Sequence, residues 1–253
     1  MHGNKKLSQI LLACICALLL SSPLTMAAEK SGGENASNPL AKVKNTDLRW
    51  QHLDMDTSHV NDFFVDGAFM ANDKLKIKYE LHYWETDVTG QSEQDWESIT
   101  LKGIYFPAEG AWGDLKYRLA IGLDWILDLG DQAKGIGSGA DQLAPFVGVA
   151  LGLQGGTMLI PLVQQFWSYS GNDVNTTAFR LIGMQPLPKQ MWLKLDAKVP
   201  VEWENDRAVP ITAELQIGKN LNKNIAVYAD GLAGIGGDRP YDWGVGTGLR
   251  FKY

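Results

Sequence analysis

The chain has 253 residues, 45% of them apolar and 21% charged, which places it in the folded class with enough length for one large domain. A formal charge of -6 without any Lys/Arg-rich run argues against a nucleic-acid partner, because neutralising phosphates takes a basic face. With 27 Gly, 9 Trp, 8 Tyr and 8 Phe, the composition suits strands and tight turns rather than long helices.

Lys5 and Lys6 precede an apolar run over residues 10–20, and small residues follow as far as Ala27 and Ala28. This is the pattern of a cleaved signal peptide over residues 1–27, since the run falls short of the about 20 residues that cross a bilayer as a helix. Leu11-Leu12-Ala13-Cys14 approximates a lipoprotein cleavage box, but the apolar run continues beyond the cysteine. Cys14 and Cys16 are the only cysteines, so the exported chain is expected to lack disulfides, thiolate–metal sites and a cysteine nucleophile. Residues 28–43 are small and polar, have no period, and read as a flexible periplasmic leader.

Over residues 44–253 the period is two. In 74–83, Leu75, Ile77, Tyr79, Leu81 and Tyr83 share one face, and Lys74, Lys76, Lys78, Glu80 and His82 the other, a separation no helix gives. The same alternation fills 115–128 and 191–203. Weaker segments at 46–53, 61–70, 96–106, 143–153, 158–169, 177–186, 208–218, 224–234 and 242–253 bring the expected strands to about twelve. The clear strands are longer than the ordinary 5–6 residues and match the about 9–11 of a tilted membrane strand. Short connections (71–73, 154–157, 187–190, 219–223) contrast with long acidic ones (84–95, 129–142), as in an outer-membrane barrel whose termini share one side. The connection at 107–114 is too long for this rule and that at 204–207 too short.

The fold class expected is therefore all-β: a closed antiparallel transmembrane β-barrel over residues 44–253. A soluble periplasmic sandwich also alternates, but strand length favours the barrel, as do aromatics at strand ends such as Trp50, Trp125, Trp167 and Trp203. The last strand alternates to an aromatic terminus, Tyr253, like the signal read by barrel-insertion machinery. Closure would remove exposed sheet edges. Pro161 and Pro200, each lacking a ladder donor, predict local irregularity.

If the apolar face meets lipid, the other face lines a lumen and its charges are the candidate solute path. They are Lys76, Lys78, Glu80 and His82; Lys116, Arg118 and Asp124; Arg180; Lys194, Asp196, Lys198 and Glu202; Glu214; and Arg250, with Lys102 in the same phase. This interior leans basic beneath acidic loops, which favours small anions beyond the mouth. Two other readings stand beside it: the charges neutralise one another in a filled barrel, or they pack a structural or adhesive barrel. Inward Gly122, Gly148, Gly218 and Gly248 suggest empty lumen volume. An enzymatic barrel acting on lipids would rest on His82 with Glu80, yet no G-x-S-x-G occurs, and no catalytic residue, metal site or cofactor is assigned.

The stretches Asn38-Pro39-Leu40-Ala41-Lys42-Val43, 135–151 and Gly237-Asp238-Arg239-Pro240-Tyr241-Asp242-Trp243-Gly244 resemble exported bacterial transporters grouped with the outer-membrane family named for the meta-pathway of phenol degradation. The resemblance covers most of the mature chain and implies a channel in the outer membrane of a Gram-negative bacterium, for aromatic or other apolar small molecules. It carries over no binding residues. The expectation is a passive, non-enzymatic channel whose partners are outer-membrane lipids, the insertion machinery and a small-molecule solute, with no nucleic acid.

Overall fold

The computed structural model describes residues 34–253, so the signal peptide, both cysteines and the start of the leader lie outside the described residues. Thirteen strands follow: β1 (Asn45–Met55), β2 (Ser58–Asn72), β3 (Leu75–Thr86), β4 (Glu93–Tyr105), β5 (Glu109–Trp112), β6 (Leu115–Asp128), β7 (Ala140–Gly152), β8 (Met158–Gly171), β9 (Asn175–Leu187), β10 (Met191–Glu202), β11 (Ile211–Asn220), β12 (Ile225–Ile235) and β13 (Trp243–Lys252). All pairings are antiparallel. The ladder runs from β4 back to β1, crosses to β13, and descends through β12 to β6, which pairs with β4. Twelve long strands thus close into a barrel.

Each expected segment has become one of the twelve long strands. The extra strand is β5, four residues that pair with the start of β6 in a hairpin prolonged beyond the barrel, which explains the long connection at 107–114. The connection expected at 204–207 widens because β11 begins only at Ile211, after Pro210; a lone bridge between Glu202 and Ala208 ties its base. Pro161 does disturb pairing. The β7–β8 ladder lapses between Gly148↔Leu162 and Leu151↔Leu159, while the β8–β9 ladder continues past it. Pro200 disturbs nothing, because β10 pairs with β11 only as far as Lys198↔Thr212 and the proline's missing donor lies beyond that end.

The faces divide as the period requires. Outward side chains such as Ile121, Leu123, Phe179, Leu181, Leu215 and Val245 form an exposed apolar band, with Trp96, Trp125, Trp167, Tyr169, Trp203 and Trp243 toward the loop end and Tyr105, Tyr117 and Tyr253 toward the terminal end. In water such a surface would be strongly unfavourable; against hydrocarbon it is the expected coat of a barrel with aromatic girdles. Inward glycines do not leave the volume the sequence suggested. Gly218 faces Trp192 and Gly248 faces Tyr228, each directly opposite in the ladder, and the ring lies where a glycine Cβ would be.

The lipid face gives a direct test. Ile121 lies mid-strand and 51% exposed, so Ile121→Arg is expected to cost about 2–4 kcal/mol of stability in bilayers. Urea-titrated folding into vesicles measures it.

Candidate functional site

Alternation brings one charged side chain after another to the same height on neighbouring strands, and in the closed barrel these meet as a belt. Glu80 Oε1 on β3 lies 3.3 Å from Lys78 Nζ and 3.9 Å from Lys102 Nζ of β4. Lys102 continues to Asp124 Oδ2 on β6 at 2.9 Å, and that oxygen also accepts from Gln164 Nε2 of β8 at 2.9 Å. Arg180 on β9 forks onto Asp196 on β10 at 2.8 and 2.6 Å. Lys194 lies between Asp196 at 3.5 Å and Glu214 on β11 at 2.7 Å. Arg49 of β1 completes the belt, 3.2 Å from Asp230 on β12 and 3.9 Å from Asp66 on β2.

Pairing is the physical condition for this many charges inside one wall, since an isolated buried ion costs several kcal/mol. One neighbouring cation stands outside the pairs: Lys198 enters none of them and holds its ammonium 5.2 Å from the centre of the Phe166 ring, while Arg180, though forked onto Asp196, keeps 37% of its side chain exposed.

The other sequence candidates fall above and below the belt. Toward the loops, His82 Nδ1 lies 2.9 Å from Asp62 Oδ2 and stacks on Phe64. Ser98 is directly opposite His82, but its hydroxyl is donated to Glu97 and so does not enter a serine–histidine–carboxylate relay with His82 and Asp62. Glu202 lines an open cleft of about 530 Å³ under the outer loops with Asp206, Arg207 and Asp238. Among the described residues no group of His, Cys, Asp and Glu could hold a metal ion.

At the terminal end Lys116 is exposed, whereas Lys76, Arg118 and Arg250 converge on the leader. Residues 34–44 have no strand, and from Glu34 onward they are tied into the barrel rather than free as expected of them. Asn38, Leu40 and Ala41 are at most 2% exposed. Lys76 donates to the carbonyls of Pro39 at 3.1 Å and Ala41 at 2.7 Å; Arg118 forks onto Glu34 at 2.8 and 2.7 Å; Ser37 bonds to Gln216 and Arg250. Lys76 is therefore covered, 1% exposed, and does not face open lumen.

Sequence reasoning missed Asp47, Arg49, Asp62, Asp66 and Asp230. Asp47 accepts from Arg250 at 2.6 Å and from the Tyr228 hydroxyl at 2.8 Å. With these acids included, the interior loses most of the basic excess expected of it.

No family model matches the chain, and no curated protein matches its sequence. Solved structures do. The NanC porin superposes with a TM-score of 0.63 at 10% identity, over 82% of this chain and 100% of that one. An outer membrane channel from Pseudomonas putida F1 gives 0.59 at 9% identity, covering 89% of this chain and 100% of its own. The KdgM porin gives 0.54 at 8%, over 83% and 99%. These likenesses show a shared outer-membrane-type barrel fold.

Asp47→Ala should strand the buried Arg250 and cost about 3–5 kcal/mol, whereas Glu109→Ala, at a half-exposed pair with Lys42, should cost about 0–1 kcal/mol; urea-titrated unfolding distinguishes them. Acid tests the leader. Burial pushes the Glu34 carboxyl up, but Arg118, the Lys42 amide and the nearby cations outweigh it and hold it below the ordinary 4.5. Its contribution to docking is complete above the ordinary carboxylate range and is lost as pH falls through the lowered value. Glu109, held low by Lys42 and Arg118, titrates in the same direction. Amide exchange of Asn38, Leu40 and Ala41, corrected for its intrinsic pH dependence, should accelerate across that window, and Glu34→Gln should reduce the change.

Proposed function

We propose that this protein is a passive channel for small molecules in the outer membrane of a Gram-negative bacterium, with its termini on the periplasmic side and a preference for small anions. The observation that carries the reading is Lys198, a lumen cation that stands beside the belt and outside its ion pairs, its ammonium over the Phe166 ring. An anion gains from an ammonium without a counter-ion what a cation loses, so the preference is set locally at Lys198 rather than by the total charge of the wall. The apolar band suits outer-membrane lipids. The resemblance to the phenol meta-pathway transporters, with the apolar lower lumen, supports solutes that combine an anionic group with an aromatic or aliphatic body. A lipid-hydrolysing barrel has less support, because the Ser98 hydroxyl is engaged away from His82.

Reconstituted protein is expected to conduct in planar bilayers with an anion-sided reversal potential in a KCl gradient, and Lys198→Glu to move that potential toward cations. A potential unmoved by the substitution would contradict the anion preference, and folded barrels that carry no current even with residues 34–44 undocked would contradict the channel.

A further inference from the structure

The leader reaches inward-facing residues of β3, β6, β8, β11 and β13 at the terminal end of the barrel. It touches Lys76, Arg118, Met158, Gln216 and Arg250 in turn. Leu40 sits fully buried in an apolar cluster with Ile104, Phe106, Ile160, Ile182 and Trp192. Asn38 shapes the turn by accepting from the Leu40 amide at 2.8 Å. The segment therefore plugs this end of the lumen without joining its sheet.

What holds it is unusual in one respect. Lys76 is a fully buried lysine whose hydrogen bonds go to two main-chain carbonyls, and it enters no ion pair among the described residues. Carbonyl dipoles take two of its three donors but supply no counter-charge, and a buried ammonium is better matched by a carboxylate. Without the leader, Lys76 would stand bare beside an apolar wall, and Arg118 would lose its fork to Glu34. The plug thus supplies a carboxylate to Arg118, two carbonyls to Lys76 and a branched alkyl group to the apolar cluster.

We propose that residues 34–44 are a displaceable plug covering a solute site, and that this site takes an amphipathic carboxylate, its anionic end on Lys76 and Arg118 and its apolar body in the place of Leu40. The inference rests on the channel reading above and names the substrate class for its periplasmic end. Plug and solute compete for the same donors and the same apolar wall, so binding of one releases the other.

The test uses the full mature chain with hexanoate as probe and hexylammonium as its counterpart of opposite charge. Millimolar hexanoate should speed tryptic cleavage after Lys42 in the folded wild-type barrel several-fold, hexylammonium should not, and Lys76→Gln should abolish the hexanoate effect. Leu40→Asp, which disfavours burial of the plug, should raise single-channel conductance several-fold. Leu40→Asp barrels that remain folded by heat-modifiable gel mobility but conduct like wild type would overturn the plug. Cleavage indifferent to hexanoate, or accelerated equally by hexylammonium, would overturn the anionic site. If neither wild type nor Leu40→Asp conducts, the channel reading itself falls. Should Leu40→Asp fail to fold, the cleavage experiment on the wild-type chain still decides.

Discussion

The ladder between β1 and β13 is the interaction on which the rest depends. It joins the first strand to the last over ten consecutive residue pairs, from Asn45↔Lys252 to Asp54↔Trp243. In hydrocarbon no water can satisfy an open edge, and each unpaired amide or carbonyl there costs several kcal/mol. An open sheet of twelve such strands could not rest in a bilayer. The closed one can, and closure also decides which side chains see one another across the interior.

Once the sheet is closed, the polar face has a fixed and limited volume shared by residues from every strand. Ion pairs such as Arg250–Asp47 and Lys194–Glu214 are consequences of that confinement, as is the meeting of Trp192 and Tyr228 with glycines. Confinement also gives the uncompensated cations their meaning. Lys198 stands out because the charges around it are already paired, and Lys76 because its partners are carbonyls belonging to a segment outside the wall.

Strand positions and facing were legible because a period of two needs only the residues of one strand. The clear strands β3, β6 and β10 carry bulky apolar residues at most outward positions, whereas β1, β2 and β12 mix polar and small groups on both faces. Hence Asp47, Arg49, Asp66 and Asp230 were overlooked, although they keep the same phase with Leu48, Val65 and Ala229 between them. The belt itself was not legible, since it depends on register between strands and on closure, which no local pattern records. The leader was misread for a related reason: its composition is that of a linker, and its docking depends on Lys76, Arg118 and Arg250, from three distant strands. β5 was hidden by its four residues, too few to display a period.

Residues 34–253 contain no cysteine, so closure can be tested by introducing one pair. Leu48 and Leu249 are direct partners across the β1–β13 seam. In the double variant Leu48→Cys with Leu249→Cys, oxidised in native outer membranes, a disulfide should form efficiently and join the first strand to the last, whereas Leu48→Cys with Leu181→Cys on β9 should form none. A seam pair that stays reduced under conditions where both thiols are reactive, or one that bridges no better than the distant pair, would contradict the closed barrel.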